Sequence, residues 1–436
     1  MRYIDTRSGG GLSWECPWPS QVPPLRRLEL PTRLCVPAAA LGLAQVARPA
    51  GTLVARGEAL TEAQAEATSV LAPTSGRIVG SSTVTLLGGP AVPAIDLEPD
   101  FQDRVLPGEP PLPDVTGRTL QHADLAQWIP LLRAAGLWTA RRGSPSLLDQ
   151  LVATLQRPAD TVLCSLLDAD PPLRLNALLG NRAAAAMVAG VDLLRQLTGA
   201  RQALIVVEAG APSRWWTALE RLALQHGIEM LGMPHHYPQS DPSVLLYNVL
   251  QLRLRPQRLP IEQGVLLLDG AAAVAVGRFA ARQQPMLQVP IAVADLTSGR
   301  SHYVIAPVGT PLEQLLRQLG IVADTLYASD LLRHRDIGSA AVAGPAELAV
   351  HAAAAPSAVA AGSCIRCAWC AQYCPTAVLP AGLLDAAQDQ DAQEAERCGL
   401  ASCIECGVCS AVCPTNLPLA QAIVQLRRQH GLALAC

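Results

Sequence analysis

The chain carries Cys364-Ile-Arg-Cys-Ala-Trp-Cys-Ala-Gln-Tyr-Cys-Pro375 and, further on, Cys403-Ile-Glu-Cys-Gly-Val-Cys-Ser-Ala-Val-Cys-Pro414. Each stretch is the bacterial ferredoxin ligand run, C-x2-C-x2-C-x3-C-P. Three thiolates at three-residue intervals wrap one face of a cubane, while the fourth, held by a turn ending in proline, points away and serves the other centre. The spacing therefore predicts two 4Fe–4S clusters with crossed ligation: Cys364, Cys367, Cys370 and Cys413 for the first, and Cys403, Cys406, Cys409 and Cys374 for the second. Structural zinc is the bland alternative, but zinc sites usually present separated C-x2-4-C pairs with no third cysteine in step. Fully thiolate-ligated clusters carry one electron at a time and offer no open position to a substrate, so the chemistry expected is electron transfer.

The segment between the runs, Ala381 to Glu396, and Leu419–Gln429 after the second are rich in helix formers. Residues 363–436 are thus expected to form an α-helical dicluster module. Ten of the thirteen cysteines lie between Ser363 and the C-terminus, unlike a disulfide framework spread through a secreted domain. Cys398, out of step with the second run, and the isolated Cys16, Cys35, Cys164 and Cys436 read as ordinary thiols, since eight thiolates already complete both clusters.

At 436 residues the chain is long enough for about three domains. Half of it is hydrophobic and 16% charged, enough apolar surface to offset ordering entropy, so it is expected to be globular. A formal charge of −3 excludes the broad basic field of a general nucleic-acid binder. Every cation among the 33 Lys+Arg is arginine, which excludes a catalytic lysine, a Schiff base or a Walker-type lysine. No apolar run approaches the ~18 residues of a membrane span, and Met1 to Gly10 hold no apolar signal core, so a cytosolic chain is expected.

Upstream, residues 12–31 are proline-rich and favour an extended, ordered arm. From Arg33 to about Asp103, short Val/Leu/Ile segments alternate with turn signals at Gly51, Gly57, Ser75-Gly76 and Gly88-Gly89-Pro90, which predicts an all-β unit over residues 1–110. A second proline cluster, Leu106 to Pro113, marks a boundary. Beyond it, residues 114–278 read as a layered α/β domain, clearest where strand Ala203–Glu208, a helix near Ser213–His226 and strand Ile228–Met233 follow one another. Trp216, Leu219, Leu222 and Leu224 are expected on the packed face of that helix, and Val265–Asp269 is a further strand. Residues 279–343 read as a small β-grasp-like unit, with strands Leu287–Ala294 and Tyr303–Pro307 before a helix at Pro311–Leu319. The Ala/Pro/Val-rich residues 344–362 are expected to be a linker.

On its cysteine runs, with Leu379-Pro380 and Leu417-Pro418-Leu419, the chain resembles the C-subunit family of Rnf/Rsx ion-translocating electron-transport complexes. The resemblance extends over nearly the whole chain. Gly9-Gly10-Gly11, Ala72-Pro73-Thr74-Ser75-Gly76-Arg77-Ile78-Val79 and Asp96-Leu97-Glu98-Pro99-Asp100 look like the family's N-terminal barrel-sandwich hybrid; Val308-Gly309-Thr310-Pro311 with Leu315-Leu316 looks like its SLBB β-grasp unit. The resemblance implies a multidomain α+β chain and a peripheral electron-transfer subunit on the cytoplasmic face of an inner membrane. Its partners would be membrane subunits and a ferredoxin-like carrier, in a ferredoxin/NAD oxidoreductase coupled to ion translocation.

The central domain resembles the flavin- and NADH-binding domain shared with a respiratory complex I flavoprotein, but its motifs depart from that pattern. Where the family cradles FMN phosphate with a glycine-dense loop, because backbone N–H groups close on phosphate only where side chains are absent, this chain has Gly136-Leu-Trp-Thr-Ala-Arg-Arg-Gly-Ser-Pro145. Loss of the flavin is the expectation. Arg141 and Arg142 remain candidates to neutralise a phosphate, against the bland reading of an exposed basic turn. The family's Glu-x-Glu-Pro beside the nicotinamide appears as Asp168-Ala169-Asp170-Pro171, so Asp168 and Asp170 are the matching candidates. Its asparagine-containing segment appears as Asp269-Gly270-Ala271-Ala272, and after Tyr237-Pro238-Gln239 the family's glycines are Ser240 and Asp241. Two other readings stand beside the electron-transfer subunit: a complete NADH dehydrogenase subunit that keeps FMN through altered contacts, and a non-catalytic scaffold that docks the ferredoxin module onto a partner.

Overall fold

The computed structural model describes all residues except 4–9, 14–16, 41–42, 45–46, 62–67, 88, 106–119, 140, 334, 339, 357–358 and 435–436. Cys16, Cys436, Gly9 and the Leu106–Pro113 boundary lie outside the described residues. The fold is mixed α/β and multidomain, with several sheets and thirteen α-helices among the described residues.

The central unit is a five-stranded, all-parallel sheet in the order Arg2–Tyr3, Glu229–Met233, Gln202–Glu208, Thr161–Ser165, Val265–Asp269. Its strands are near-continuous apolar runs because both faces are covered. Val162, Cys164, Ile205, Val207, Leu266 and Leu268 enter one core with Trp128, Trp215 and Trp216. The alternate residues Leu163, Leu204, Val206, Val265 and Leu267 enter a second core on the opposite face, as the two-residue period of a strand requires. The helix Thr217–Gln225 buries Leu219 and Ala223 beside Trp216. Leu222 is only partly buried, and Leu224 is 79% exposed. Leu224 follows Ala223 and is therefore turned about 100° off the packed face, which corrects its expected place there.

A second five-stranded sheet runs Thr325–Ala328, Ala349–Ala353, Gln288–Asp295, Arg300–Pro307, Leu25–Arg27, with helix Leu312–Leu319 burying Leu312, Leu315 and Leu316. Ala349–Ala353 is an interior strand, parallel to Gln288–Asp295 and antiparallel to Thr325–Ala328, and Val350 and Ala352 are fully buried. The expected 344–362 linker is corrected over this stretch: alanines look featureless in sequence, but a strand squeezed between two others has room for small side chains. The N-terminal arm also spreads beyond the all-β unit. Arg2–Tyr3 extends the central sheet, Leu25–Arg27 extends the second, and Trp18 packs edge-on against Trp215 with ring centroids 4.7 Å apart.

The third sheet is built on a long hairpin, Gly76–Leu86 with Ala91–Pro99, flanked by Leu34–Pro37 and Ala341–Val342. The C-terminal residues form short helices, among them Trp369–Gln372, Pro380–Asp389, Val408–Ala411 and Leu419–Gln429, around Val378, Leu383, Ala386, Ala395, Ile423 and Leu426. Arg427 is fully buried inside this module, held by Glu405 at 2.7 Å and the carbonyls of Leu400 and Leu432 at 2.7 and 3.0 Å.

Candidate metal centre and the buried charge cluster

The two cysteine runs are a structural repeat with an offset of 39 residues. Arg366, Ala368 and Ala377 in the first run have φ of 55°, 64° and 56°; their counterparts Glu405, Gly407 and Asn416 have 56°, 80° and 55°. These left-handed residues turn the chain twice between ligands and once after the fourth cysteine. Thr376 and Thr415, two residues past the fourth cysteines, stand 3.7 and 3.4 Å from Cys374 and Cys413 Sγ.

Cys374, Cys403, Cys406 and Cys409 line one cavity, three from the second run and the fourth from the first. The cavity holds about 20 Å3. Among the described residues no three His, Cys, Asp or Glu side chains close on a single ion position; the four sulfurs are ranged round a space. Backbone N–H groups point at them: Val378 donates to Cys374 Sγ at 3.3 Å and Glu405 to Cys403 Sγ at 3.4 Å. Burial raises the Cys403 thiol to about 11 and Cys409 to about 12, with mutual repulsion among the cysteines adding to it. Four thiols around a cavity, with N–H donors aimed at sulfur, fit an all-thiolate iron–sulfur centre.

Cys370 is buried with Cys367 and Cys364 close enough to raise its thiol further, and these two are exposed. Cys413 is shifted the other way. Burial raises it, but donors from the Thr415 hydroxyl and from backbone N–H groups, those of Leu417, Thr415 and Asn416, outweigh this and leave the thiol below its ordinary value. Cys398 sits in the module core, its Sγ 3.5 Å from Glu394 Oε1, and burial beside that carboxylate raises it. Cys164 is raised far by complete burial, and Cys35 to about 11 by burial and by Asp96.

The second run is clamped onto the central domain. Tyr237 Oη donates to the Cys406 carbonyl at 2.6 Å, and Tyr237, Val244, Ile404, Cys406 and Val408 share one apolar cluster. A Cβ on Gly407 would lie 1.9 Å from the Leu332 carbonyl, and one on Gly10 would lie 2.5 Å from that of Cys374. Only glycine permits these two approaches. The first-run counterpart Ala368 keeps its Cβ because its loop faces solvent.

The candidates of the central domain form a different object. Arg141 is not part of an exposed turn: Nε and Nη2 each donate to Asp269 at 2.5 Å, and Nη1 donates to the Pro345 carbonyl at 2.6 Å. Arg142 is paired with Asp241, which also lies 3.3 Å from Arg333. All of these side chains are buried. Each aspartate also caps a helix. Asp269 accepts from Ala272 N at 2.9 Å at the start of Gly270–Arg282, and Asp241 accepts from Ser243 N at 2.9 Å at the start of Pro242–Leu250. Helix N-termini are where phosphate would be bound; here two carboxylates of the chain occupy them, each neutralised by arginine.

Asp168 accepts from Asn176 N and Nδ2 at 3.1–3.2 Å, and burial raises it to about 7 against the pull of His235 and Arg174. Asp170 accepts from the N–H groups of Asp330 and Leu331, each at 3.0 Å, and lies 2.9 Å from His351 Nε2. The cavity left among these groups is about 50 Å3, far below the ~300–1,000 Å3 of an organic-cofactor site. Sequence reasoning proposed the two arginines but missed their partners, which lie 128 and 99 residues away. Asp241 and Asp269, acids in place of the resembled glycine and amide, were the available signal.

Among curated proteins, the chain is 29% identical over 419 residues to the C subunit of the ion-translocating oxidoreductase complex of Edwardsiella ictaluri (strain 93-146), covering 91% of this chain and 50% of that protein. It is 28% identical over 415 residues to the proteins of the same name from Klebsiella pneumoniae (strain 342) and Cronobacter sakazakii (strain ATCC BAA-894), with 91% of this chain and 53% and 52% of theirs covered. The chain spans about half the length of the curated relatives it matches. No family model matches it. Among solved structures, an NAD+-reducing [NiFe]-hydrogenase in its air-oxidized and H2-reduced states aligns with TM-scores of 0.45 and 0.46, at 15% and 13% identity, over 71% of this chain and 62% of that one. Across nine-tenths of its length, then, this chain is a homologue of curated ion-translocating oxidoreductase complex C subunits.

Proposed function

We propose that this chain is the electron-transfer subunit of an Rnf/Rsx-type ion-translocating oxidoreductase complex, passing single electrons through two 4Fe–4S clusters and holding no FMN in its central domain. The carrying observation is the single cavity shared by Cys374 of the first run and Cys403, Cys406 and Cys409 of the second, which supports the crossed ligand set. The clusters, when bound, supply one-electron chemistry. The chain supplies the thiolates, the N–H groups of Val378 and Glu405 that stabilise negative sulfur, and the packing of Tyr237 and Leu332 that covers Cys406. Cys364, Cys367, Cys370 and Cys413 are the ligands of the first cluster.

The residues present do not fit FMN. Its phosphate would meet two carboxylates already installed at the helix N-termini, and the arginines available to neutralise it are committed to them. Hydride from NADH requires a two-electron acceptor, so this subunit takes and gives electrons through protein partners. The exposed Cys364 and Cys367, flanked in the chain by Ile365 and Trp369 at 64 and 49% exposure, form the exchange face for a ferredoxin-like carrier. No single helix among the described residues is long and apolar enough to cross a membrane, and the subunit is held peripherally, at the cytoplasmic face, by membrane partners.

The test is anaerobic purification with iron, sulfide and flavin quantitation, then reduction by NADH and by dithionite in parallel. The expected result is about eight irons per chain, negligible flavin, clusters that stay oxidised with NADH and bleach with dithionite. Stoichiometric zinc without sulfide would end the cluster assignment. Near-stoichiometric FMN with NADH-driven bleaching would instead establish the complete dehydrogenase reading.

A further inference from the structure

A second cavity, of about 370 Å3, lies on the helix Gly270–Arg282 between the second sheet and the all-β unit, and its volume falls within the ~300–1,000 Å3 of small-molecule sites. Arg278 and Arg282 of the helix and Arg27 of the N-terminal arm line it. Arg278 and Arg282 are four residues apart, a like-charge spacing that destabilises a helix, and Arg27 adds a third positive charge. All three side chains are exposed along the open side of the cavity, and partial desolvation, then Arg27 and then Arg282, hold the Arg278 guanidinium below its ordinary value. Among the described residues no carboxylate stands within ion-pair distance of any of the three, whereas Arg56 at the same cavity is paired with Asp103 at 2.7 Å and Arg141 with Asp269. The remaining wall is mixed: Val274, Ala275 and Met286 give it an apolar stretch, and Thr139, Gln284 and Gln288 line it as well.

Three guanidiniums that share one cavity without a carboxylate partner among the described residues, beside an apolar stretch of wall, call for a ligand with concentrated negative charge and an apolar part. Guanidinium favours phosphate through paired N–H donors. We propose that this cavity binds a phosphate ester, its phosphate held by Arg27, Arg278 and Arg282 and its organic part laid on Val274, Ala275 and Met286. This site is separate in its residues from the cluster ligands and does not depend on the electron-transfer reading. A soluble nucleotide and a phospholipid headgroup share the required chemistry, and the experiment distinguishes them.

The full chain, with its clusters reconstituted, is titrated calorimetrically with adenosine 5′-monophosphate and, separately, tested for co-sedimentation with phosphatidylcholine vesicles containing phosphatidylglycerol. The comparison protein is R278Q/R282Q. That change relieves a like-charge contact, so it should not lower the unfolding midpoint or the iron content; Arg221→Gln, an exposed arginine on another helix, is the control. The expected result is binding of one probe that weakens at least about tenfold in the double variant and is unchanged in the control. Binding of the nucleotide assigns a soluble ester; binding of the vesicles assigns a headgroup. If neither probe binds the full chain, or if the double variant binds as well as the parent, the proposal is wrong.

Discussion

Arg141→Met removes a buried charge and leaves Asp269 in a site where both side chains are less than a tenth exposed. Breaking a buried pair from one side costs about 3–5 kcal/mol, because an uncompensated charge stays behind. Asp269 keeps its bond from Ala272 N, so the lower end, about 3 kcal/mol, is expected. Asp269→Asn preserves the helix cap, at which Asn and Asp are equivalent, and strands Arg141 with only the Pro345 carbonyl, at a similar cost. The double variant R141M/D269N removes both charges, and its cost should fall short of the sum of the singles by about 2 kcal/mol or more, a coupling expected only of groups in direct contact. Urea unfolding followed by tryptophan fluorescence measures this, since Trp128, Trp215 and Trp216 all lie in the core of that domain. A loss below about 1 kcal/mol for Arg141→Met, or additive single effects, would show that the pair is solvated and does not stand in for a bound phosphate.

Cys374→Ser should disturb the electron paramagnetic signal of the second cluster, and Cys413→Ser that of the first; damage confined to the run that carries the mutation would refute the crossed ligation. Asp168 titrates near 7 because burial penalises its charged form, so the native state holds a proton that the unfolded chain has lost between about pH 4 and pH 7. Stability should fall as pH rises through that window, by up to about 4 kcal/mol, and then level off. Burial raises Asp330 and Glu347 as well, so Asp168→Asn should reduce this slope in urea midpoints measured from pH 4 to pH 8, and an unchanged slope would move the titration elsewhere. Co-expressed membrane partner subunits should bring the chain into the membrane fraction; sedimentation of the purified chain with neutral phosphatidylcholine vesicles would contradict attachment through partners.

What was legible in the sequence was whatever depends on spacing. The cysteine grammar marks two repeated loops, of which Cys374 of the first lines one cavity with Cys403, Cys406 and Cys409 of the second, and strands such as Val265–Asp269 and Gln202–Glu208 announce themselves as apolar runs covered on both faces. Contacts between distant residues were not legible. Arg141 and Arg142 look like a basic turn until Asp269 and Asp241 arrive from elsewhere in the chain, and no local pattern marks a side chain as buried by a partner a hundred residues away. Ala349–Ala353 was hidden for a related reason. Its membership in the second sheet comes from the neighbours that pair with it, while its own alanines carry little β-propensity.

The large central domain still has a physical task once its phosphate positions are taken by aspartates. A thiolate-bound centre is tuned by the N–H dipoles around its sulfurs and by the solvent it excludes, and both require a backbone that does not move. The second ligand set obtains this rigidity from outside its own module, through the Tyr237 hydroxyl on Cys406, the Leu332 carbonyl pressed against Gly407 and the Cys374 carbonyl pressed against Gly10. Leu332 is in turn held by the same buried charge cluster, since its neighbour Arg333 reaches Asp241 and Asp330, and the N–H groups of Asp330 and Leu331 donate to Asp170. Ion pairs that close one site thereby brace the next. Cys364 and Cys367 of the first set stay in solvent instead. Under the proposed ligation the two sets thus acquire unequal surroundings, the second braced by the central domain and only partly exposed, the first with two cysteines in solvent, where the proposed electron carrier would approach.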